Sequence, residues 1–123
     1  MKITIPGTPI TKKNSQRILI NPKTKRPFIM PSKQYKQYEA DAAATVEYDG
    51  KPIDYPVNVK CVYYMPTKRR VDLANLLEST HDILSKIGVL EDDNCKIIAS
   101  VDGSRVDYDK DNPRTEIYIE TLN

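Results

Sequence analysis

The sequence lacks tryptophan, and its 123 residues include one histidine and two cysteines. The single histidine, His81, excludes a metal site built on paired histidines, and we expect it to be structural or solvated. Neither Cys61 nor Cys95 has a second cysteine or a histidine at zinc-ligand spacing. Both cysteines are therefore predicted to be buried free thiols in strands, with a disulfide between them as the alternative.

Long apolar runs are also absent, and none approaches the roughly 20 residues of a membrane-spanning helix. The N-terminus has neither the apolar stretch nor the small-residue cleavage site of a secretory signal. The length predicts one domain over residues 1–123, which we expect to be cytoplasmic. The hydrophobic content of 39% predicts a modest core that dimerisation would complete.

Acidic residues are nearly absent from the first third of the chain. Residues 1–40 contain nine lysines and arginines against one acid, Glu39, whereas the remainder contains ten basic and 16 acidic residues. A basic arm joined to an acidic body is typical of a protein that binds a polyanion together with a divalent cation. The alternative is an ordinary solvated loop that is rich in lysine.

Hydrophobic periodicity predicts an α+β domain in which two main helices pack on one mixed β-sheet. Helices are predicted from an N-cap at Ser32 to about Val46, and from about Asp72 to Lys86 with a stop at Gly88. Strands are predicted at 2–6, 57–64, 96–101 and 115–121, and a ragged hairpin at 17–20 and 27–30. The polar stretch 102–114 is predicted to be a loop or the end of a hairpin.

The candidate catalytic residues lie at the two ends of the second helix. The basic residues 68–70 come just before Asp72, and three acids, Glu91, Asp92 and Asp93, follow the helix. Carboxylates are the ligands that Mg²⁺ prefers, and neighbouring arginines suit nucleic-acid phosphates, so metal-dependent cleavage of a nucleic-acid backbone is predicted. Two alternatives remain, because the sequence does not show that the helix ends meet: Asp72 as an N-cap alone, and the acids as a solvated turn.

Several basic residues would extend this site along a DNA backbone. Those expected to bind phosphates are Lys12, Lys13, Arg17, Arg69 and Arg70. The tyrosines at positions 35, 38, 63, 64, 108 and 118 are interpreted mainly as packing residues.

Several of these motifs together resemble the RusA family of phage and prophage Holliday junction resolvases. They are GTP and KKN after the first strand, YYMP at a strand end, and RR-x-DL-x-NL followed by G-x-L-x-DD. The resemblance implies an intertwined homodimer that acts in DNA recombination and repair. Its two active sites would use Mg²⁺ or Mn²⁺ to cut opposed strands of a four-way junction.

The resemblance also implies roles for particular residues. Asp72 matches the first catalytic aspartate of the family motif, and Asp93 matches another, with Asp92 beside it; Asp72 and Asp93 would bind the metal. The third expected aspartate is absent, because position 74 is alanine, and an expected lysine is replaced by Glu78. Since Ala74 and Glu78 are one helical turn apart, we hypothesise that the carboxylate has moved from one position to the other.

Three functions remain open from the sequence. The first is a Mg²⁺-dependent structure-specific endodeoxyribonuclease that resolves four-way junctions. The second is a catalytically weakened or inactive protein that binds branched DNA on the same fold, which the missing aspartate would explain. The third is a small accessory protein that acts through its acidic body.

Overall fold

The computed structural model describes residues 1–12 and 16–122, without the side chains of residues 16, 17, 29 and 31. Its strands are β1 (Lys2–Pro6), β2 (Gln16–Ile20), β3 (Pro27–Pro31), β4 (Val57–Met65), β5 (Ile98–Ser100), β6 (Arg105–Tyr108) and β7 (Arg114–Thr121), and its helices are α1 (Lys33–Thr45) and α2 (Leu73–Lys86). The predicted α+β class with two main helices is confirmed. Within the described ranges, no helix is long and apolar enough to cross a bilayer.

Five of the strands form one mixed sheet. Strand β7 lies at its centre, antiparallel to both β1 and β4. Strands β5 and β6 pair with the other side of β4, and both are parallel to it. Strands β2 and β3 form a separate two-stranded antiparallel ribbon.

Both helices pack on the same face of this sheet. Alternate residues of the central strands, such as Val59, Cys61 and Ile117, point to that face and are fully buried. Two buried hydrogen bonds join the sheet to the helices. The Tyr38 hydroxyl of α1 lies 2.8 Å from Thr115 Oγ1 of β7, and the Tyr63 hydroxyl of β4 lies 2.7 Å from Thr80 Oγ1 of α2.

The helix ends follow the local signals of the sequence. The Ser32 hydroxyl accepts a hydrogen bond from the Tyr35 backbone N–H and caps α1, as predicted. Helix α2 begins after Asp72 and buries an apolar stripe that includes Leu76, Ile83 and Leu84. It stops before Gly88, whose φ of 85° lies in the left-handed region that glycine adopts most readily.

Two predictions about the second half of the chain are wrong. The stretch 102–114 contains the edge strand β6, whose four residues are all exposed; they alternate polar and apolar types, but four positions within a polar stretch are too short a pattern to predict a strand. Cys95 is exposed and lies in the turn before β5, so the predicted strand from residue 96 is reduced to three residues. Cys61 is buried as predicted, and both thiols are free.

Candidate active site and DNA-binding surface

Asp72 lies at the N-terminus of α2, directly after the loop that leaves β4. Its backbone is extended, and its side-chain Oδ1 accepts a hydrogen bond of 3.3 Å from the Asn75 backbone N–H. Asp72 therefore caps α2, which is one of the two roles predicted for it. The side chain is exposed and the cap engages one of its two oxygens, so capping and cation binding are compatible.

The basic cluster of Lys68, Arg69 and Arg70 is exposed beside this carboxylate. The Lys68 ammonium lies 5.5 Å from the centre of the Tyr108 ring, at the end of β6. That strand end is tied to the end of β4, because the Asp109 backbone N–H donates to the Met65 carbonyl over 2.9 Å. The sequence did not predict this contact, because the contact depends on the pairing of β6 with β4.

The acidic residues form a loop between α2 and β5, and the loop has internal hydrogen bonds. Asp92 Oδ1 accepts from the Asp93 backbone N–H over 2.7 Å, and Oδ2 accepts from the Asn94 side-chain amide over 3.1 Å. The hydrogen bond from the Asp93 backbone and that from Asn94 hold the pKa of Asp92 below its usual value. Asp92 is therefore ionised at neutral pH. With Asp54 and Glu91, it lines a shallow cavity of about 270 Å³.

His81 lies on α2, and the charge of the acidic loop acts on its ring. The His81 ring is half-buried, and its Nε2 is buried without a hydrogen-bond partner in the described part of the chain. Burial lowers the pKa of His81, and the negative charge of Asp93 opposes that shift. His81 comes nine residues after Asp72, which is about 13 Å along a helix axis.

The predicted carboxylates come from two segments of the chain. Asp92 and Asp93 lie together, whereas Asp72 is at the start of α2. Among residues 1–12 and 16–122, no group of three or more His, Cys, Asp and Glu side chains is placed to hold a metal ion. Ala74 and Glu78 are both exposed. Positions 74, 78 and 81 follow one stripe of the helix, so Glu78 lies between Ala74 and His81 on that stripe.

Of the basic residues expected to bind DNA on the N-terminal arm, the structure describes the side chain of Lys12. The Lys12 backbone N–H donates to Ser79 Oγ over 2.9 Å, and its ammonium lies 3.3 Å from Asp82 Oδ2. Lys12 thus attaches the arm to α2, and part of its charge is compensated. Lys13 and the side chain of Arg17 lie outside the described residues. Phosphate binding by these three residues stays a prediction.

A polar network on the helix-free face of the sheet was not predicted. Arg114 donates to Glu116 over 2.8 Å and to Asp109 over 2.9 Å, and its guanidinium stacks 3.9 Å from the Tyr64 ring centre. The Tyr118 hydroxyl donates to Glu116 over 2.7 Å. This bond is the main cause of the low pKa of Glu116, about 2, which Arg114 lowers further. The spacing of Arg114, Glu116 and Tyr118 along β7 was the only sequence signal for this network.

The network holds the end of β4 against the start of β7. The loop that carries Lys68, Arg69 and Arg70, here called the basic loop, departs from that end of β4. Arg114 is paired in register with Tyr64, and Tyr64 is two residues before Pro66, where the loop begins. Tyr64 is therefore half-buried under a guanidinium, and its role is wider than the packing predicted for it. Tyr35, Tyr38 and Tyr63 are buried, as predicted.

Comparison with known proteins identifies the family of this chain. The family model for endodeoxyribonuclease RusA matches residues 6–120. The crossover junction endodeoxyribonuclease RusA of Aquifex aeolicus (strain VF5) is 30% identical over 86 residues. That alignment covers 70% of this chain and 66% of the relative, slightly less than two thirds of its length. The predicted resemblance is thus confirmed, and the chain belongs to the RusA family of endodeoxyribonucleases.

Proposed function

We propose that this protein is a Mg²⁺- or Mn²⁺-dependent, structure-specific endodeoxyribonuclease that resolves four-way DNA junctions by paired strand cuts. The observation that supports this function best is the position of Asp72, exposed at a helix N-terminus and two residues from the arginine pair. Membership of the RusA family and the name of the Aquifex relative support the choice of a junction as substrate. We place the reaction in bacterial or phage recombination and repair.

The available side chains fit a hard divalent cation. Asp72, Asp92 and Asp93 are exposed carboxylates, and Mg²⁺ is commonly held by one or two carboxylates together with substrate phosphates and water. Asp72 and Asp93 are the proposed ligands, and Asp92 adds negative charge beside Asp93. When bound, the cation supplies polarisation of the scissile phosphate and a lowered pKa for the attacking water.

The chain's own residues would bind and orient the DNA. Arg69 and Arg70 present planar donors that can hold phosphate oxygens beside Asp72. The positive end of the α2 dipole lies in the same place and favours an anionic phosphate. Since these contacts are to the backbone, recognition depends on the shape of the junction, and binding weakens steeply as salt is added.

Paired cuts in two opposed strands require two active sites, and we propose that a homodimer supplies them. Each protomer then contributes one basic loop and one set of carboxylates. Sedimentation of the protein, alone and with a junction, tests this part of the proposal. A monomer that still makes both cuts in one binding event would contradict it.

The activity is tested with a labelled synthetic four-way junction in Mg²⁺ or Mn²⁺. The variants are Asp72→Asn and Asp93→Asn, and Asp49→Asn, an exposed acid of the loop after α1, serves as the matched control. We expect symmetric paired cuts by the wild type and the control. Both site variants should lose about 100-fold or more in cutting, on the order of the loss when one group that stabilises transition-state charge is removed. Equal cutting by all four proteins would refute the site assignment.

Ala74 favours a second candidate, a protein that binds branched DNA without cutting it. This candidate predicts salt-sensitive junction binding that survives EDTA, with no nicked product. Two further variants separate the candidates. If Glu78 has taken over the missing carboxylate, Glu78→Gln abolishes metal-dependent cutting. If catalysis has been lost, the wild type is inactive and Ala74→Asp restores cleavage.

A further inference from the structure

The ribbon of β2 and β3 exposes an apolar face that the main sheet does not cover. Ile18 and Ile20 lie on one face of β2 and are 72% and 69% exposed, more than any other large apolar side chain in the described part of the chain. Leu19 and Met30, which point to the other face, are half-buried. The ribbon therefore has one partly covered face and one open apolar face.

The tip of the ribbon is basic and has a defined conformation. Asn21 Oδ1 accepts from the backbone N–H groups of Lys23 and Thr24, and the Asn21 backbone N–H donates to the Arg26 carbonyl over 3.0 Å. Lys25 adopts a left-handed φ of 56° in this turn. The hydrogen bonds thus hold the tip in one shape before any partner binds, which lowers the entropic cost of binding.

The charges of the tip are uncompensated locally. Lys23, Lys25 and Arg26 are all exposed, and none of them takes part in an ion pair within the part of the chain that the structure describes. The chain has no acidic residue before Glu39. Three cations next to two exposed isoleucines form a surface of mixed apolar and positive character.

This composition favours DNA over another protein as the partner. Lysine is depleted in protein–protein interfaces, whereas protein–DNA interfaces are strongly positive. A two-stranded β-ribbon fits the major groove of DNA, and apolar side chains such as isoleucine can insert between bases and unstack them. In the open form of a four-way junction, base pairs at the centre lack a continuous stack on one side, so they are accessible to such contacts.

We propose that the ribbon binds the branch point of the junction. Ile18 and Ile20 contact unstacked bases there, while Lys23, Lys25 and Arg26 bind the adjoining phosphates. This inference rests on the proposed function and deepens it, because it assigns the preference for branched over linear DNA to a surface remote in sequence from the carboxylates.

The test uses a junction with 2-aminopurine at the branch point, a linear duplex of the same sequence, and a buffer with EDTA. The ribbon variant is Ile18→Ser with Ile20→Ser, and Leu122→Ser, another exposed apolar residue, is the control. We expect the wild type and the control to raise the 2-aminopurine fluorescence and to prefer the junction. The ribbon variant should not raise the fluorescence, and it should bind the junction at least tenfold more weakly. Its affinity for the duplex should be unchanged.

A charge variant separates phosphate binding from base contact. Lys23→Gln, Lys25→Gln and Arg26→Gln together should weaken binding to both DNAs, and should reduce the slope of log affinity against log salt by about 0.9 per lost phosphate contact. An unchanged salt slope would contradict the assignment of the tip. Circular dichroism of every variant verifies that the fold is retained.

Three results would overturn the inference. If the ribbon variant keeps full junction preference and fluorescence while the wild type cuts junctions in Mg²⁺, the ribbon proposal fails and the proposed function stands. If the ribbon variant sediments as a monomer where the wild type is a dimer, the ribbon belongs to a protomer interface. A wild type that neither prefers nor cuts junctions refutes both proposals.

Discussion

The hydrogen bond between Tyr63 and Thr80 predicts an unusual order of stabilities among three variants. Both side chains are buried, and they join β4 to the helix that Asp72 caps. Thr80 donates its only hydroxyl proton to the Leu76 carbonyl over 2.9 Å, so Tyr63 must be the donor in the bond of 2.7 Å to Thr80. The two hydroxyl groups are therefore not equivalent.

Removal of the acceptor should cost more than removal of the donor. Thr80→Val leaves the Tyr63 hydroxyl buried with only the Cys61 thiol, a weak acceptor, beside it, which costs about 1–3 kcal/mol. Tyr63→Phe leaves Thr80 bonded to Leu76, and the lost bond is worth about 1 kcal/mol. With roughly 4 °C of Tm per kcal/mol for a domain of this size, Thr80→Val should lower the Tm by about 4–12 °C. The double variant removes both partners, so it should be more stable than Thr80→Val alone.

Urea unfolding followed by circular dichroism measures these differences, since the chain has no tryptophan to report by fluorescence. The protein concentration must be the same throughout, because a dimer gains apparent stability with concentration. The reasoning is refuted if the effects of Thr80→Val and Tyr63→Phe simply add, or if Tyr63→Phe is the more damaging change.

Two further predictions concern a helix cap and a low pKa. Asp72→Ala should lower the free energy of unfolding by about 0.5–1 kcal/mol, whereas Asp72→Asn should leave it unchanged, because asparagine caps a helix as well as aspartate does. Thermal melting distinguishes the two variants, and equal melting temperatures would contradict a capping role. The Glu116 pKa falls from 4.5 to about 2 on folding, so its stabilisation is complete above pH 4.5 and is lost as the pH falls towards 2. Glu116→Gln should remove this part of the loss of stability in acid. The assignment is refuted if the melting temperatures of both proteins fall equally as the pH is lowered from 4.5 towards 2.

The helices were predictable because their signals are local. Ser32, Asp72 and Gly88 act on backbone groups within four residues, so the sequence places the ends of α1 and α2 without knowledge of the rest of the fold. The strands that alternate apolar and polar residues were predictable for the same reason. Strand β6 alternates over only four residues, all of them exposed, and its pairing with β4 is what makes it a strand.

The candidate site was predictable only in part. The residue types around Asp72 and Asp93 predicted metal and phosphate chemistry, but the distance between them depends on how the loop after α2 folds back. In the structure the charge of Asp93 acts on His81, and Lys12 pairs with Asp82. Neither contact follows from spacing along the chain.

The sequence by itself determined the fold class, the helix ends and the family, and it supplied the candidate residues for binding a cation or a phosphate. Each of these depends on residue type and on separations of a few positions. The tertiary structure alone decided the edge strand β6, the network around Arg114 and the open face of Ile18 and Ile20. These features depend on pairs of residues far apart in sequence, or on which face the rest of the chain leaves uncovered, and local propensity carries no information about either.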